Sequence, residues 1–260
     1  GCHTHLWNFN TKQYHAWVPQ EGILDKLAPI KKSDEVIAVN FPLVPQPLKV
    51  GIGLHDSSAA LVPYIHSFQI PYVLISTGTW SISLNPFNQS VLTDAELKQD
   101  CLCYISYTGN PIKASRLFAG NEHEQEIKKI AQQFNQPADY YKTVEFNVVI
   151  YKNLIESGSL LNADTYEEAY HQVIFNIIQK QVTSTNLVLH NADVDQIFVD
   201  GGFSNNPVFM HFLAAAYPNK KVFAATLSQA SSLGAAMAIH RHWNTQPIPN
   251  QLVQLKQYFY

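Results

Sequence analysis

The spacing of apolar residues changes along the chain from the period of a strand to the period of an α-helix. Residues 1 to about 50 show neither period, and Pro42, Pro45 and Pro47 exclude a regular helix at the end of this stretch. Short apolar runs then predict strands at residues 50–54, 72–76, 80–84 and 101–106. Gly78 and Thr79 predict a tight two-residue turn between the second and third of these strands, and the last three strands together predict an antiparallel meander.

Helical spacing dominates the second half of the chain. Residues 121–134 place apolar side chains on one face, with acidic residues early and lysines late, as the helix dipole favours. Residues 164–189 predict a longer helix, with Asp164 as N-cap and Glu167 three positions on. The rest of the pattern predicts a strand at 196–199, a helix opened by Pro207, a strand at 221–224 and a helix of small residues at 230–240. Strands followed by alternating helices and strands predict a mixed α/β layered fold.

The composition excludes several classes of protein. The chain has 260 residues, of which 46% are hydrophobic, so it can bury a sizeable core and is not mainly disordered. Only 14% are charged, against roughly 25% in an average soluble chain, which predicts a further buried face. Burial against another domain and burial in a homodimer both explain that face, and the sequence does not separate them. The net charge of −3 gives no footprint for nucleic acid or an anionic membrane.

The chain has the features of a reduced, cytoplasmic protein. No apolar run approaches the roughly 20 residues that span a bilayer, and the first residues lack the basic and apolar regions of a secretory signal. Three cysteines are too few for a disulfide framework in a chain of this length. The sequence also begins without Met in a segment that carries Trp and His, which is typical of the middle of a larger protein.

The strongest local signal for a binding site is the segment Val199-Asp-Gly-Gly-Phe-Ser-Asn-Asn-Pro207. A predicted strand ends in two glycines, and a helix then begins with Asn206 as expected cap and Pro207 at its first position. Adjacent glycines let a ligand approach bare backbone, and the helix start offers N–H groups to an anion or a ring. An ordinary strand-to-helix turn explains the same residues.

Two further segments have the residue types of a phosphate-transfer site. Ser76-Thr-Gly-Thr-Trp80 places hydroxyls and turn N–H groups together, which suits a phosphate, although a plain hairpin has the same composition. Asp56 follows the glycine-containing strand at Gly51-Ile-Gly-Leu54 and is placed to act as a base on a small ligand. Its alternative role is the N-cap of a helix that starts at Ser57.

Metal-dependent chemistry has weak support in the sequence. Cys2-His3-Thr4-His5 has ligand types at close spacing, but no second cluster matches it. The motif Gly-x-Ser-x-Gly of a serine hydrolase is absent. We therefore predict no resident metal site, and a histidine-based metal-dependent hydrolase is the third-ranked function.

Three segments follow one another along the chain: Asp56 after a glycine-containing strand, the Thr-Gly-Thr hairpin at residues 77–79, and the Asp-Gly-Gly turn at residues 200–202. In this order they resemble the corresponding segments of the FGGY-family carbohydrate kinases. The similarity extends from Gly51 to about Arg241, and residues 76–81 are most similar to the rhamnulokinase and fuculokinase branches. The resemblance implies the ribonuclease H-like α/β fold of actin and hexokinase, a mixed sheet flanked by helices. It also implies that residues 1–48 are the tail of a preceding sugar-binding domain and that residues 49–260 form the C-terminal nucleotide-binding domain.

The resemblance also assigns roles to individual residues. Asp56 matches the general base that takes the proton from the attacking sugar hydroxyl. Thr77, Gly78 and Thr79 match the phosphate loop that holds the β- and γ-phosphates of ATP.

Further matches lie along the nucleoside. Gly120 matches a glycine near the ribose, with Glu124 one turn further on. Gly201, Gly202 and Asn206 match the adenosine motif, in which the adenine lies over bare glycine backbone.

The implied reaction is transfer of the γ-phosphoryl group of Mg-ATP to a hydroxyl of a ketose. A deoxy-ketohexose such as rhamnulose or fuculose is the expected substrate, and xylulose is an alternative. The first phosphate hairpin of these kinases, the acid that helps to place Mg²⁺, and most of the sugar pocket do not occur in this chain. The missing N-terminal domain is therefore an expected partner, and the chain alone is expected to bind nucleotide weakly. The second-ranked function is a non-catalytic ATP-binding module of the same fold.

Overall fold

The computed structural model describes residues 6–159, 163–227 and 229–260. In chain order the strands are β1 Trp7–Asn8, β2 Gln13–Tyr14, β3 Val36–Val39, β4 Leu48–Gly51, β5 Tyr72–Thr77, β6 Ser81–Asn85, β7 Cys101–Ile105, β8 Pro111–Leu117, β9 Gln196–Gly201, β10 Lys221–Thr226 and β11 Gln254–Tyr258. The α-helices are α1 Trp17–Gln20, α2 Asp56–Ser67, α3 Asp94–Lys98, α4 Ala119–Gln133, α5 Val148–Ser157, α6 Tyr166–Leu189, α7 Pro207–Ala216 and α8 Ala230–Ala238. Short 3-10 turns lie at Leu24–Lys26, Tyr140–Thr143, Gly202–Asn205 and His240–His242.

These residues form two compact units. Within the described chain the first unit contains residues 6–69, 103–113 and 229–252, and is therefore built from three separate segments. The second unit contains the remaining described residues, those of Ile70–Leu102, Ala114–Leu227 and Val253–Tyr260. The domain boundary expected near residue 48 stays a prediction.

A seven-stranded mixed sheet has the strand order β11-β10-β9-β5-β6-β8-β7, and its strands β5, β6, β9, β10 and β11 lie wholly in the second unit. Strands β5, β9 and β10 are parallel, whereas β6 runs antiparallel to β5 and β11 runs antiparallel to β10. The central strands are buried on both faces, because the consecutive residues Leu74 and Ile75 both have no solvent exposure. Thr77 and Gly201 are partners at the carboxyl ends of β5 and β9. Ligands bind at this end of the strands in open α/β sheets, so this edge is where a site is expected.

Helix α6 is the central helix of the second unit and packs against α4, α5, α7 and strand β6. Its contact with β6 is polar. The hydroxyl of Ser81 donates to Gln181 Oε1 over 2.6 Å, and the hydroxyls of Ser83 and Thr185 lie 2.9 Å apart. All four residues are buried. These bonds satisfy the buried hydroxyls and fix the position of α6 along β6.

The first unit consists largely of two hairpins and a helix pair. Strand β1 pairs with β2 and β3 pairs with β4, both antiparallel. The stretch that was expected to be irregular therefore contains strands, which are too short to give a periodic signal. Pro42, Pro45 and Pro47 lie in the β3–β4 connection. Helices α2 and α8 pack closely, because a Cβ on Gly234 would overlap the carbonyl oxygen of Ala59.

Most of the predicted elements are present, and three details were wrong. Three residues rather than two connect β5 to β6, since Thr77 pairs with Ser81. The meander does not continue to β7, because β8, which was not predicted, lies between β6 and β7. The N-cap of α6 is Thr165 and not Asp164, since the Thr165 hydroxyl accepts from the backbone N–H of Glu168 at 3.2 Å and completes a capping box with it.

Candidate functional site

The turn between β5 and β6 lies against the N-terminus of helix α4. The Gly78 N–H donates to the Trp80 carbonyl over 2.8 Å, which closes the turn, and the Asn121 N–H donates to the Thr79 carbonyl over 3.1 Å. A Cβ on Gly120 would overlap the carbonyl oxygen of Gly78. The glycine at 120 thus allows the backbone of the turn to contact the helix directly.

The glycine turn after β9 is held by its own side chains. Asp200 Oδ1 accepts from the Gly201 N–H over 2.6 Å, and the 3-10 turn Gly202–Asn205 follows. Asn206 is the N-cap of α7, as predicted, and its Oδ1 accepts from the Phe209 N–H over 3.1 Å. A Cβ on Gly202 would meet no atom within 4 Å, so this glycine presents open backbone.

A cavity of about 620 Å³ joins these two turns within the second unit. Five of the residues that the sequence assigned to nucleotide binding line it, namely Gly78, Gly120, Glu124, Gly202 and Asn206. Thr77, Thr79 and Gly201 do not line the cavity and lie next in sequence to residues that do. The structure therefore brings together residues from three separate parts of the chain around one space.

The cavity has further lining residues that were not assigned to the site from the sequence: His123, Ile127, Tyr141, Lys142, Phe203, Asn205 and Pro207. The last three lie within the segment 199–207, which was the strongest local signal for a binding site. His123 and Ile127 also had a usable signal, because they follow Gly120 by three and seven positions and so share its helix face. The 3-10 turn that carries Tyr141 and Lys142 gave no periodic signal.

A hydrogen-bonded chain of three side chains supports one wall of the cavity. Asn206 Nδ2 donates to the Tyr170 hydroxyl over 2.7 Å, and that hydroxyl lies 3.0 Å from His123 Nε2. Because the Tyr170 oxygen accepts from the Asn206 amide, the Tyr170 proton is available for His123 Nε2. When the tyrosine donates in this way, the neutral histidine carries its proton on Nδ1.

The chain of three side chains is uncharged. Burial lowers the pKa of His123 to about 4, so its ring is neutral at pH 7. Burial also raises the pKa of Tyr170, although the hydrogen bond from Asn206 opposes that shift. The wall thus offers fixed dipoles without a net charge, and the amide of Asn206 is held at both ends.

Glu124 supplies a carboxylate to the cavity, and its charge is compensated on the same helix. Lys128 Nζ lies 2.6 Å from Glu124 Oε1, and this hydrogen bond and the lysine charge lower the pKa of the carboxyl group. Both side chains are more than half exposed, so the pair contributes little to stability. Its effect at the cavity is to reduce the repulsion that a bare carboxylate would exert on an anionic ligand.

Asp56 belongs to the first unit, where it is the first residue of α2. Its side chain is 79% exposed, and Oδ1 lies 2.7 Å from the Ser57 N–H and 3.1 Å from His55 Nδ1. The N-cap position itself is occupied by His55, which makes no side-chain capping bond, so the alternative role of Asp56 as the N-cap was wrong by one position.

The described ranges contain no group of three or more His, Cys, Asp or Glu side chains that could hold a metal ion. The candidate ligands Cys2, His3 and His5 lie outside those ranges. A search of the same ranges for a helix long and apolar enough to cross a membrane also found none.

The sequence matches one family model, that of the carbohydrate kinase FGGY C-terminal domain, over residues 69–247. This match covers well over half of the chain. No curated protein matches the sequence.

Solved structures of similar fold are carbohydrate kinases. A carbohydrate kinase from Novosphingobium aromaticivorans has a TM-score of 0.74 at 21% identity, and the match covers 100% of this chain and 60% of that one. The ligand-bound xylulose kinase from Lactobacillus acidophilus has a TM-score of 0.74 at 15% identity, with 98% of this chain and 57% of that one covered. The gluconate kinase from Lactobacillus acidophilus has a TM-score of 0.65 at 16% identity, with 98% and 57% covered.

At these identities the likeness shows the fold, which is the ribonuclease H-like α/β fold expected from the sequence. The chain spans about 60% of the length of the solved structures that it matches. With the family match, these findings settle the relationship: the chain belongs to the FGGY carbohydrate kinases and carries their C-terminal domain.

Proposed function

We propose that this chain is the nucleotide-binding part of an ATP-dependent sugar kinase, which transfers the γ-phosphoryl group of ATP to a hydroxyl of a ketose. The observation that carries the proposal is the cavity of about 620 Å³, which is lined by five residues that the resemblance to the FGGY kinases assigns to nucleotide binding. Its volume lies in the range of small-molecule sites, roughly 300–1,000 Å³.

The lining suits a nucleotide in a defined orientation. Gly78, in the turn after β5, forms the end proposed for the phosphates, because a turn rich in glycine and hydroxyl groups suits an anion. Gly120, at the N-terminus of α4, is proposed to lie near the ribose. Gly202 and Asn206 form the wall proposed for adenosine, since Gly202 leaves its backbone bare towards the space. Helix α4 rises about 1.5 Å per residue, so its lining residues Gly120 and Ile127 are about 10 Å apart along the axis, enough for a nucleoside.

In this proposal Asp56 is the general base. It accepts the proton of the sugar hydroxyl as the oxygen attacks the γ-phosphorus, and the bond from that phosphorus to the bridging oxygen of ADP breaks. An exposed carboxylate at the first position of a helix, held through Oδ1 by Ser57 and His55, leaves Oδ2 for the incoming proton. Positioning and charge neutralisation supply most of the catalysis in such reactions.

This chain supplies few of the residues that would bind magnesium and the sugar. Mg²⁺ would neutralise phosphate charge, and it is usually held through one or two carboxylates, waters and the phosphates themselves. The residues described here form no cluster for it, and no step is assigned to it.

The sugar is proposed as a deoxy-ketohexose such as rhamnulose or fuculose, on the sequence of the β5–β6 turn. Xylulose is a second candidate, supported by the xylulose kinases among the similar structures. A preceding domain is proposed to complete the sugar pocket, since the matched structures are longer than this chain. The expected compartment is the cytoplasm, and a homodimer stays an expectation.

The test is a phosphorylation assay on the complete protein that carries this chain, with a panel of ketoses and Mg-ATP. In the variant Asp56→Asn we expect turnover to fall by about 100-fold or more, the scale of a lost general base, while the KM for ATP stays within about twofold. The matched control is Asp94→Asn, because Asp94 is likewise an exposed aspartate at the first position of a helix.

Turnover near that of the wild type in Asp56→Asn would refute the base assignment. ATP binding without phosphorylation of any ketose would favour the non-catalytic module. An equal loss in Asp94→Asn would show that the effect comes from helix electrostatics in general.

A further inference from the structure

We propose that Thr77 is a positioning residue, whose side chain fixes the glycine turn after β9 relative to the turn after β5. The statement that this spacing serves a nucleotide rests on the proposed function, whereas the coupling of the two turns does not. The sequence placed Thr77 among the phosphate-binding residues, and its surroundings in the fold give it a different task.

The hydroxyl of Thr77 is fully committed inside the protein. Its proton is donated to the Asp200 carbonyl over 2.5 Å, and its oxygen accepts from the Phe203 N–H over 3.0 Å. The residue is only 6% exposed. A hydroxyl has one proton, so Thr77 has none left to donate to a phosphate oxygen.

These two bonds bracket the glycine turn. Asp200 precedes Gly201 and Phe203 follows Gly202, so one side chain holds the backbone on both sides of the glycine pair. Gly201 lies directly opposite Thr77 in the parallel ladder, and a Cβ on Gly201 would overlap the Thr77 carbonyl oxygen. The contact therefore consists of backbone and side chain together.

The contact of Thr77 with the glycine turn also affects the cavity, because the next residue in each turn lines it. Gly78 comes directly after Thr77 and Gly202 directly after Gly201, and both line the cavity. The spacing between these two walls is thus set by the contact of Thr77 with residues 200–203. A ligand that touches both walls, such as ADP or ATP, needs that spacing to be fixed before it binds.

The experiment compares Thr77→Val, which keeps the shape and removes the hydroxyl, with Thr77→Ser, which keeps the hydroxyl. Two quantities are measured on the 260-residue chain: amide hydrogen exchange at Phe203 and in the turn 78–80, and ADP affinity by calorimetric titration. The matched control is Thr185→Val. Thr185 is fully buried, and its hydroxyl lies 2.9 Å from both Ser83 Oγ and Gln181 Nε2, at a place that does not line the cavity.

In Thr77→Val we expect faster exchange at Phe203 and in the turn 78–80, and ADP affinity about tenfold weaker, which corresponds to about 1.4 kcal/mol. Thr77→Ser should restore both quantities to within about twofold of the wild type. Thr185→Val should lose stability and keep the ADP affinity of the wild type. A purely structural role for Thr77 would instead lower stability in the same way as Thr185→Val and leave ADP affinity unchanged.

Unchanged exchange in Thr77→Val would overturn the coupling of the two turns. Faster exchange with unchanged ADP affinity would overturn the positioning role for nucleotide. If the wild type binds no ADP while the exchange results are as expected, the proposed function and the nucleotide role fail together, and the coupling stands.

Discussion

Two adjacent glycines, Gly201 and Gly202, have opposite roles in this structure. Gly201 has φ 84° and ψ −149°, a conformation that costs a residue with a Cβ about 1–3 kcal/mol. A side chain there would also overlap the carbonyl oxygen of Thr77. Gly202 starts a 3-10 turn without a positive φ, it lines the cavity, and a Cβ there would meet no atom within 4 Å.

The expected magnitudes differ accordingly. For Gly201→Ala, conformational strain and overlap together should lower the free energy of unfolding by about 3 kcal/mol or more. In a chain of this size that corresponds to a fall in Tm of roughly 6–12 °C. For Gly202→Val, stability should stay within about 0.5 kcal/mol of the wild type, since a Cβ there meets no atom within 4 Å and the φ of this residue is not positive. Bound nucleotide would be displaced by the new side chain, at about 1–3 kcal/mol, so ADP affinity should fall by about 5- to 150-fold.

The assay is thermal unfolding and calorimetric titration with ADP on the wild type and both variants. Gly158→Ala is the control for strain alone, because Gly158 has φ 74° and a Cβ there would meet no atom within 4 Å. Wild-type ADP affinity in Gly202→Val would refute the placement of the nucleoside on this wall. A Tm for Gly201→Ala no lower than that of Gly158→Ala would refute the close approach of the two backbones.

Two further predictions concern the hydrogen-bonded wall. Tyr170→Phe removes the hydroxyl that links Asn206 to His123 and should weaken ADP binding several-fold. The control Tyr217→Phe also removes a buried hydroxyl, which donates to Asn186 Oδ1 over 3.1 Å, and it should leave ADP affinity unchanged in the same titration. Equal ADP affinities in the two variants would contradict a role for the hydrogen-bonded wall. Burial lowers the pKa of His123 from 6.5 to about 4. Between pH 6.5 and pH 4 the unfolded state therefore binds a proton that the folded state does not. The free energy of unfolding should be highest above pH 6.5 and should fall by up to about 3 kcal/mol as the pH drops towards 4. Urea unfolding measures the free energy of unfolding at pH 7.5 and pH 5, and the difference between the two values should be smaller for His123→Gln than for the wild type. Part of the difference that remains comes from His171, because burial lowers its pKa as well. An equal difference in the variant and the wild type would contradict the burial of a neutral His123.

The sequence was informative where the signal was local. The strand β9, the glycine turn that follows it, the N-cap Asn206 and Pro207 at the start of α7 were predicted at the right residues, because each residue type suits its backbone position. The predicted positions of β5, β9, α4 and α7 were right for the same reason, since each has a clear period or a clear cap.

The elements that were missed lack such a signal for physical reasons. Strand β8 alternates apolar and polar residues over only four positions, from Ile112 to Ser115, which is too short to predict a strand from the period alone. Its polar residues Lys113 and Ser115 are buried together with Ile112 and Ala114, so the alternation does not separate a core face from a solvent face. The Ser115 hydroxyl donates to the Ser184 carbonyl over 2.6 Å, a partner that exists only in the folded chain.

The missed part of the site has the same origin. His123 and Tyr170 look like ordinary interior positions of two helices, and they meet only because α4 packs against α6. No spacing in the sequence connects residues so far apart. Side-chain networks that join distant elements are therefore the part of this site that pattern reasoning does not reach.

The first unit is built from three separate segments, so its two packed helices are synthesised at different times. Helix α2 packs against α8, and the Ser231 hydroxyl donates to the carbonyl of Asp56, which lies 175 positions earlier in the chain. At about 5–20 residues per second, α2 leaves the ribosome roughly 10–35 s before its partner helix does. During that interval its small, apolar face, with Ala59 and Ala60, lacks the helix that covers it in the finished unit. Completion of this unit is therefore a late event in synthesis.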